Sequence, residues 1–260
     1  MLACAAIWKS VYLVPLPQSE IAITNFVPHT YYAGGHPTTL LTDANHAGFE
    51  LRAGVELYCS SSRDCSGTVV FTGSWPNSRP VSSIVTVPPG MHVTVNLTVP
   101  HQETVGVALW HPHGNGAQPR YNVTARFTPS IRAGRGVSTT RAIGFRHIAL
   151  VTLNDTDPAV VAAVKQNSTT HTGAFTMLFR VNGAPIWARG GSKIPMDLLE
   201  GRMSAYAHRR LVQSAREGNF NMLRIWGGGV WEPRAFYDAC DEFVSALLAE
   251  LYLCAILLLC

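Results

Sequence analysis

The stretch Asn219–Glu242, NFNMLRIWGGGVWEPRAFYDACDE, leaves the chain little choice of local structure. Phe220–Ile225 is a short apolar run ending in β-friendly residues, and three glycines follow at once. Pro233 then opens a pattern with Phe236, Ala239, Cys240 and Phe243 on one helical face. The order is strand, glycine turn, helix. A strand that is apolar along its length belongs to a sheet covered on both faces, and ligands of parallel sheets gather at the strands' C-terminal ends. That end carries Arg224, Trp226, Gly227, Gly228, Gly229 and Trp231. Glycines let backbone approach a ligand closely, indole faces stack on the apolar face of a sugar, and an arginine offers forked donors to hydroxyls or a carboxylate. The chemistry suits a carbohydrate. Taken alone, a plain turn flanked by two core tryptophans accounts for the same residues more simply.

Upstream, from about Glu20 to Leu153, short β-rich runs alternate with Gly, Pro, Asn or Asp: IAITNFVP, GFELRAGVELYC, GTVVFTG, SSIVTVPPGMHVTVNLTVP, YNVTARFTP and FRHIALVTL. Alternation over short runs buries one face of each strand, as two antiparallel sheets sharing a core require, so the region reads as an immunoglobulin-like β-sandwich. Pro88-Pro89-Gly90 is a turn between two strands. The loop His111–Pro119 after Trp110 has the composition of a hairpin connection, though a functional reading would bring it to a ligand cleft. The polar segment 154–173 marks a domain boundary. Beyond it, Phe175–Val181 and Ile186–Arg189 pair around Asn182-Gly183. Ser204 caps a helix running to Glu217 with Leu211, Val212 and Ala215 inward and Gly218 at its end. Two βα units of this kind begin a (β/α)8 barrel, which in full takes about 250 residues.

With 260 residues, 14% of them charged and 47% hydrophobic, the chain has ample core and is not a disordered one. The net charge of +4 comes from dispersed arginines, among them Arg120, Arg126, Arg132, Arg135, Arg141 and Arg146, which argues against nucleic-acid binding. Asn96, Asn122, Asn154 and Asn167 each head an Asn-X-Ser/Thr sequon, which points to a secretory or lysosomal route. Cys59 and Cys65 bracket a loop short enough for a disulfide if their Cα atoms come within about 7 Å, and two free thiols are the alternative. No Cys/His spacing matches a zinc site, and His111-Pro-His113 reads as loop composition, so no metal is expected. The amino end lacks the basic start of a signal peptide. The apolar tail 243–260 is long enough to span a membrane, but Glu250 in its middle argues against a span.

The run NMLRIWGGGVWEPRAFYDACDE resembles the second strand and helix of the catalytic barrel in β-mannosidases of glycoside hydrolase family 2. VNGAPIWARGGSKIPMD (Val181–Asp197) is similar to that family's first barrel strand, with Ser192 and Lys193 where the family usually has Asn and Trp lining the sugar subsite. LWHPHGNGAQPRYNVT (Leu109–Thr124) resembles its WWPNGxGxQPLY segment, with His111 and His113 for Trp and Asn, and IGFRHIAL (Ile143–Leu150) its junction before the barrel. The resemblance covers Trp8 to Glu242. It implies that residues 1–19 close a jelly-roll sugar-binding domain and that 20–153 form the immunoglobulin-like sandwich. Residues 154–173 are then a linker, 174–242 the first βα units of a truncated TIM barrel, and 243–260 an aberrant tail in place of a third strand. It also implies retaining hydrolysis of terminal β-D-mannose, partners that are β-mannoside oligosaccharides, and no cofactor. The substrate-binding residues would be Arg224, Trp226, Gly227, Gly228, Trp231 and Asp197.

Retaining glycosidases use two carboxyl groups about 5–5.5 Å apart. In this family both are glutamates on later strands, one in an Asn-Glu pair, and the sequence contains no Asn-Glu. The catalytic pair is therefore expected beyond the end of the chain, which would leave it inactive. Glu200, Glu217, Glu242, Asp238 and Asp241 read as solvated charges. Asp197 and Glu232 follow strand ends and could reach the cleft, without amounting to a dyad. The competing reading is a non-catalytic carbohydrate-binding β-sandwich protein or pseudoenzyme that uses the Trp226/Trp231 surface; a membrane-tethered sandwich module is a third.

Overall fold

The computed structural model describes residues 13–16, 20–130, 136–151, 178–197, 199–243, 246–251 and 254–256. The expected linker and sequons Asn154 and Asn167 lie outside the described residues, as does most of the expected jelly-roll strand. Two antiparallel sheets make the first unit. One runs β1 (Ile21–Tyr32), β2 (Phe49–Cys59), β5 (His92–Val99). The other runs β4 (Val81–Val87), β3 (Cys65–Gly73), β6 (Tyr121–Pro129), β7 (Val137–Ile143). Alternation does what a period of two dictates: Phe49, Leu51, Ala53, Val55 and Leu57 of β2 meet Val69 and Phe71 of β3 and Val123, Ala125 and Phe127 of β6 in one core. Each of the valine, leucine and phenylalanine side chains contributes about 1.5–3 kcal/mol on burial. Cys59 and Cys65 are disulfide-bonded, tying the end of β2 in one sheet to the start of β3 in the other. Pro88-Pro89-Gly90 likewise crosses between sheets, since β4 and β5 lie in different ones.

The structure moves one strand. Val137–Ile143 completes the sandwich beside β6, whereas Ile148–Val151 (β8), in the run expected to be the sandwich's last strand, pairs with β9 (Leu178–Val181) instead. The reason is chemical: Ser138, Thr139, Thr140 and Arg141 carry little apolar signal, and β7 is an edge strand whose pairing comes from β6 rather than from its own burial. The hairpin β9–β10 (Ala184–Ile186) turns on Asn182 and Gly183 with φ of 50° and 78°, the mirror-image turn that suits two-residue hairpins. Because that turn pairs Val181 with Ala184, the second strand starts at Ala184 rather than at Ile186.

A parallel unit follows: β11 (Gly190–Lys193), α1 (Ala205–Glu217), β12 (Met222–Ile225), α2 (Arg234–Phe243) and β13 (Ala246–Leu251). The Ser204 hydroxyl accepts from the Ala207 N–H at the start of α1. At its end Gly218 keeps a negative φ and Asn219 takes the left-handed conformation expected of the glycine, a role asparagine tolerates. Val212, Leu223, Ile225, Phe236, Ala239 and Cys240 form the core of this unit. The tail read as aberrant supplies a third parallel strand, and Cys254–Ile256 (β14) then turns back antiparallel to β13. The open edge of β12 gives an apolar β-branching-poor segment backbone partners that a helix would have to find within itself. No helix among the described residues is long and apolar enough to cross a membrane.

Asn182 joins these parts. Fully buried, it donates its N–H to His147 O at 2.8 Å and accepts Leu41 N–H at 2.8 Å. Its side-chain oxygen accepts His147 N–H at 2.9 Å, and its amide nitrogen donates to Trp110 O at 2.9 Å and to His111 Nδ1 at 3.4 Å. Asn182→Ala should therefore cost about 3 kcal/mol or more in chemical denaturation, since it strips partners from buried groups and keeps a left-handed backbone without asparagine's tolerance for it.

The same hub has a pH dependence. Burial lowers the pKa of His147, with the neighbouring His36 adding to the effect, and burial lowers that of His111 against an opposing pull from Asp43. The amide nitrogen of Asn182 can only donate, so His111 Nδ1 must be unprotonated to receive it. A histidine whose folded pKa is depressed takes up its proton more readily when unfolded, so stability is complete above the ordinary value of about 6.5 and falls as pH drops below it. Denaturation midpoints should be lower at acid than at neutral pH, and His147→Gln should flatten that slope.

Candidate functional site

The C-terminal ends of β11 and β12 lie side by side, with Ser192 opposite Arg224 and Lys193 opposite Ile225. Strand alternation sends Arg224 and Ser192 to one face, where Arg224 Nη1 donates to Ser192 Oγ at 2.7 Å. The loop after β12 then leaves the sheet. Trp226 N–H donates to Lys193 O at 3.1 Å, and Gly229 N–H closes a turn onto Trp226 O at 3.0 Å. The Trp226 indole lies over Gly228, where an added Cβ would sit 2.5 Å from the ring, so any larger residue there would have to displace the indole. Trp226 and Trp231 are 46% and 57% exposed, which removes them from the core that the simpler reading of the sequence assigned them. Ile194, Leu199, Tyr206 and Val230 are exposed as well. Asp197 follows β11, but its carboxylate is engaged by Leu199 N–H at 2.8 Å and lies 3.6 Å from Arg202 Nε.

Two acidic residues are placed differently from their expected positions. Glu232 turns inward instead of toward the open end: one carboxylate oxygen meets Lys193 Nζ and the other lies 3.4 Å from His208 Nδ1, with all three residues less than 9% exposed. Lys193 Nζ also sits 5.4 Å from the Phe236 ring centroid. Asp241, expected to be solvated, is buried next to Cys240 on the inward face of α2, and burial pushes its carboxyl above the usual carboxylate range while Arg146 opposes the shift. Glu217 and Glu242 do stay at the surface, with Arg210 and Arg209 as partners, and hydrogen bonding from Arg209 holds the Glu242 carboxyl low. Each carboxylate described from Asp197 to Glu242 thus has a cationic partner. The side chain of Glu200 is outside the described residues. No group of three or more metal-ligating side chains occurs among the described residues. The Lys193–Glu232–His208 cluster was missed from sequence, although His208 lies four residues before Val212 and so on the buried face of α1.

No family model matches the chain. It is similar to the β-mannosidase of Capra hircus, 36% identical over 149 residues, a match covering 57% of this chain and 15% of that protein. β-Mannosidase A of Aspergillus terreus is 29% identical over 261 residues, covering 95% of this chain and 25% of that protein. The chain is therefore similar in sequence to β-mannosidases. Among solved structures, a β-D-mannosidase from Dictyoglomus thermophilum superposes with a TM-score of 0.61 at 21% identity, over 88% of this chain and 24% of that one. A Bacteroides uniformis β-glucuronidase does so with 0.63 at 13% identity, over 87% and 22%. The fold is thus shared with larger glycosidases, and the chain spans 15% to 25% of the length of these curated relatives.

The sandwich and the parallel unit meet through Trp110. Its indole N–H donates to Asp241 O at 2.8 Å, the Arg146 guanidinium lies 4.3 Å from the ring centroid, and Arg146 Nη2 donates to Asp241 Oδ1 at 3.0 Å. The loop after Trp110 closes on itself, His111 N–H to Ala117 O at 2.9 Å, and Gly114 faces Arg189 at the start of β11. It therefore packs at the opposite end of the strand from Trp226. Arg146→Ala should cost about 3–5 kcal/mol in urea denaturation because it strands a buried carboxylate, and Arg146→Met with Asp241→Leu should recover much of that loss.

Proposed function

We propose that this chain is the sandwich and opening βα units of a β-mannosidase-like glycoside hydrolase that binds β-mannoside oligosaccharides without hydrolysing them on its own. The observation that carries the reading is the pair of exposed indoles, Trp226 and Trp231, framing three glycines at the C-terminal end of parallel strands, in a chain similar to β-mannosidases. In this reading β11, α1, β12 and α2 are the first two units of a (β/α)8 barrel. Residues 20–153 and 174–242 are the two domains, and the saccharide rests on Trp226 and Trp231 with Arg224, Gly227, Gly228 and Asp197 at its edge. Residues 1–19 would close a jelly roll. No nucleic acid is a partner, and neither cofactor nor metal enters the chemistry.

A non-catalytic, purely saccharide-binding role is favoured by one further observation. The carboxylates described from Asp197 to Glu242 are all paired with cations, which suits neither a nucleophile nor an acid poised beside it. Sequons Asn96 and Asn122 stand on the exposed faces of β5 and β6, in keeping with a glycoprotein of the secretory or lysosomal route and with the disulfide Cys59–Cys65.

Calorimetric titration with mannobiose tests the binding. Trp226→Ala should weaken it roughly three- to tenfold, the size of one aromatic stacking contact, with the circular dichroism spectrum unchanged. An aryl β-mannoside should not be turned over. Turnover that disappears with Glu232→Gln would overturn the non-catalytic assignment.

A further inference from the structure

Lys193 holds both ends of the glycine loop. Its carbonyl accepts the N–H of Trp226 at 3.1 Å, where the loop begins, and its ammonium pairs with Glu232, the residue that directly follows Trp231. The second oxygen of Glu232 is met by His208 Nδ1 at 3.4 Å from α1, so three elements converge under the loop. Between the anchors stand Gly227, Gly228 and Gly229, which have no side chains with which to order themselves and lose the most freedom on being fixed. A buried ion pair adds little net stability over an apolar pair of the same volume. What it adds is a fixed partner and direction, because a charge-assisted bond made away from water is strong only in the right geometry.

We propose that Lys193 is the positioning residue of the Trp226–Trp231 loop. Through its carbonyl and, by way of Glu232 and His208, its ammonium, it holds the two exposed indoles as a preformed platform, so that a saccharide does not have to order the glycines on binding. The platform's ligand rests on the saccharide reading above; the clamp itself does not.

The test uses the full 260-residue chain labelled with 5-fluorotryptophan, its Trp226 and Trp231 fluorine resonances assigned through Trp226→Phe and Trp231→Phe. Lys193→Met keeps the carbonyl and removes the ammonium. It should shift or broaden the Trp226 and Trp231 lines while those of buried Trp75 and Trp110 stay in place, and mannobiose binding should weaken roughly tenfold as the loop's ordering cost moves into the binding step. Lys193→Arg should restore both. Should Lys193→Met not fold, Glu232→Gln, of the same shape and without charge, reads the same lines. Unmoved Trp226 and Trp231 lines alongside a lowered melting temperature would make the cluster a structural ion pair and overturn the proposal. Lines that move in a chain whose wild type binds no mannobiose would uphold the clamp and reject the saccharide.

Discussion

A single left-handed asparagine carries the junction between the sandwich and everything after it. Asn182 occupies a hairpin turn that requires positive φ, and in that conformation its backbone and side chain together reach the loop after β1, the end of the Leu109–Trp110 segment and the start of β8. The adjacent residues extend the junction. Arg180, fully buried, donates to Thr38 O and Gly183 O, and Gly183 lies so close to Thr39 O that an added Cβ would approach to 2.0 Å. Buried polar groups are costly unless satisfied, so once this turn forms, the loops around it have one arrangement that satisfies them.

Charge is used the same way further along. Arg146 and Asp241 bind the sandwich to α2 beneath the Trp110 ring, and Lys193, Glu232 and His208 bind α1 to the loop after β12. Both sets stand where elements distant in sequence must meet in one register, which a purely apolar contact would specify less sharply. The outer surface of the parallel unit pairs its charges loosely, as Arg234 with Asp238 and Arg210 with Glu217, where solvent leaves such pairs worth little.

The open end of the parallel strands is consequently a mixed surface. Its buried part is ion pairing, and its exposed part is indole and glycine.

Much of this was legible in the sequence because it is local. Alternation gave the strands of the sandwich, Pro233 and the apolar face from Phe236 to Cys240 gave α2, Asn182-Gly183 gave its turn, and Ser204 gave a cap. Each of these follows from the period of the backbone or from one residue's allowed torsions. Other features were set by contacts between distant segments. Val137–Ile143 became a strand only because β6 offered an edge, and the tail became β13 only because β12 did. Asp241 was read as a solvated charge, since carboxylates usually are, and Glu232 as reaching toward the cleft; their burial depended on Arg146 and Lys193 arriving from 95 and 39 residues away. The sequence by itself determined the elements with a local signal and the aromatic, glycine-rich chemistry at the strand ends. Only the tertiary structure decided which sheet each strand joined and which charges turned inward, because both depend on partners that no local pattern encodes.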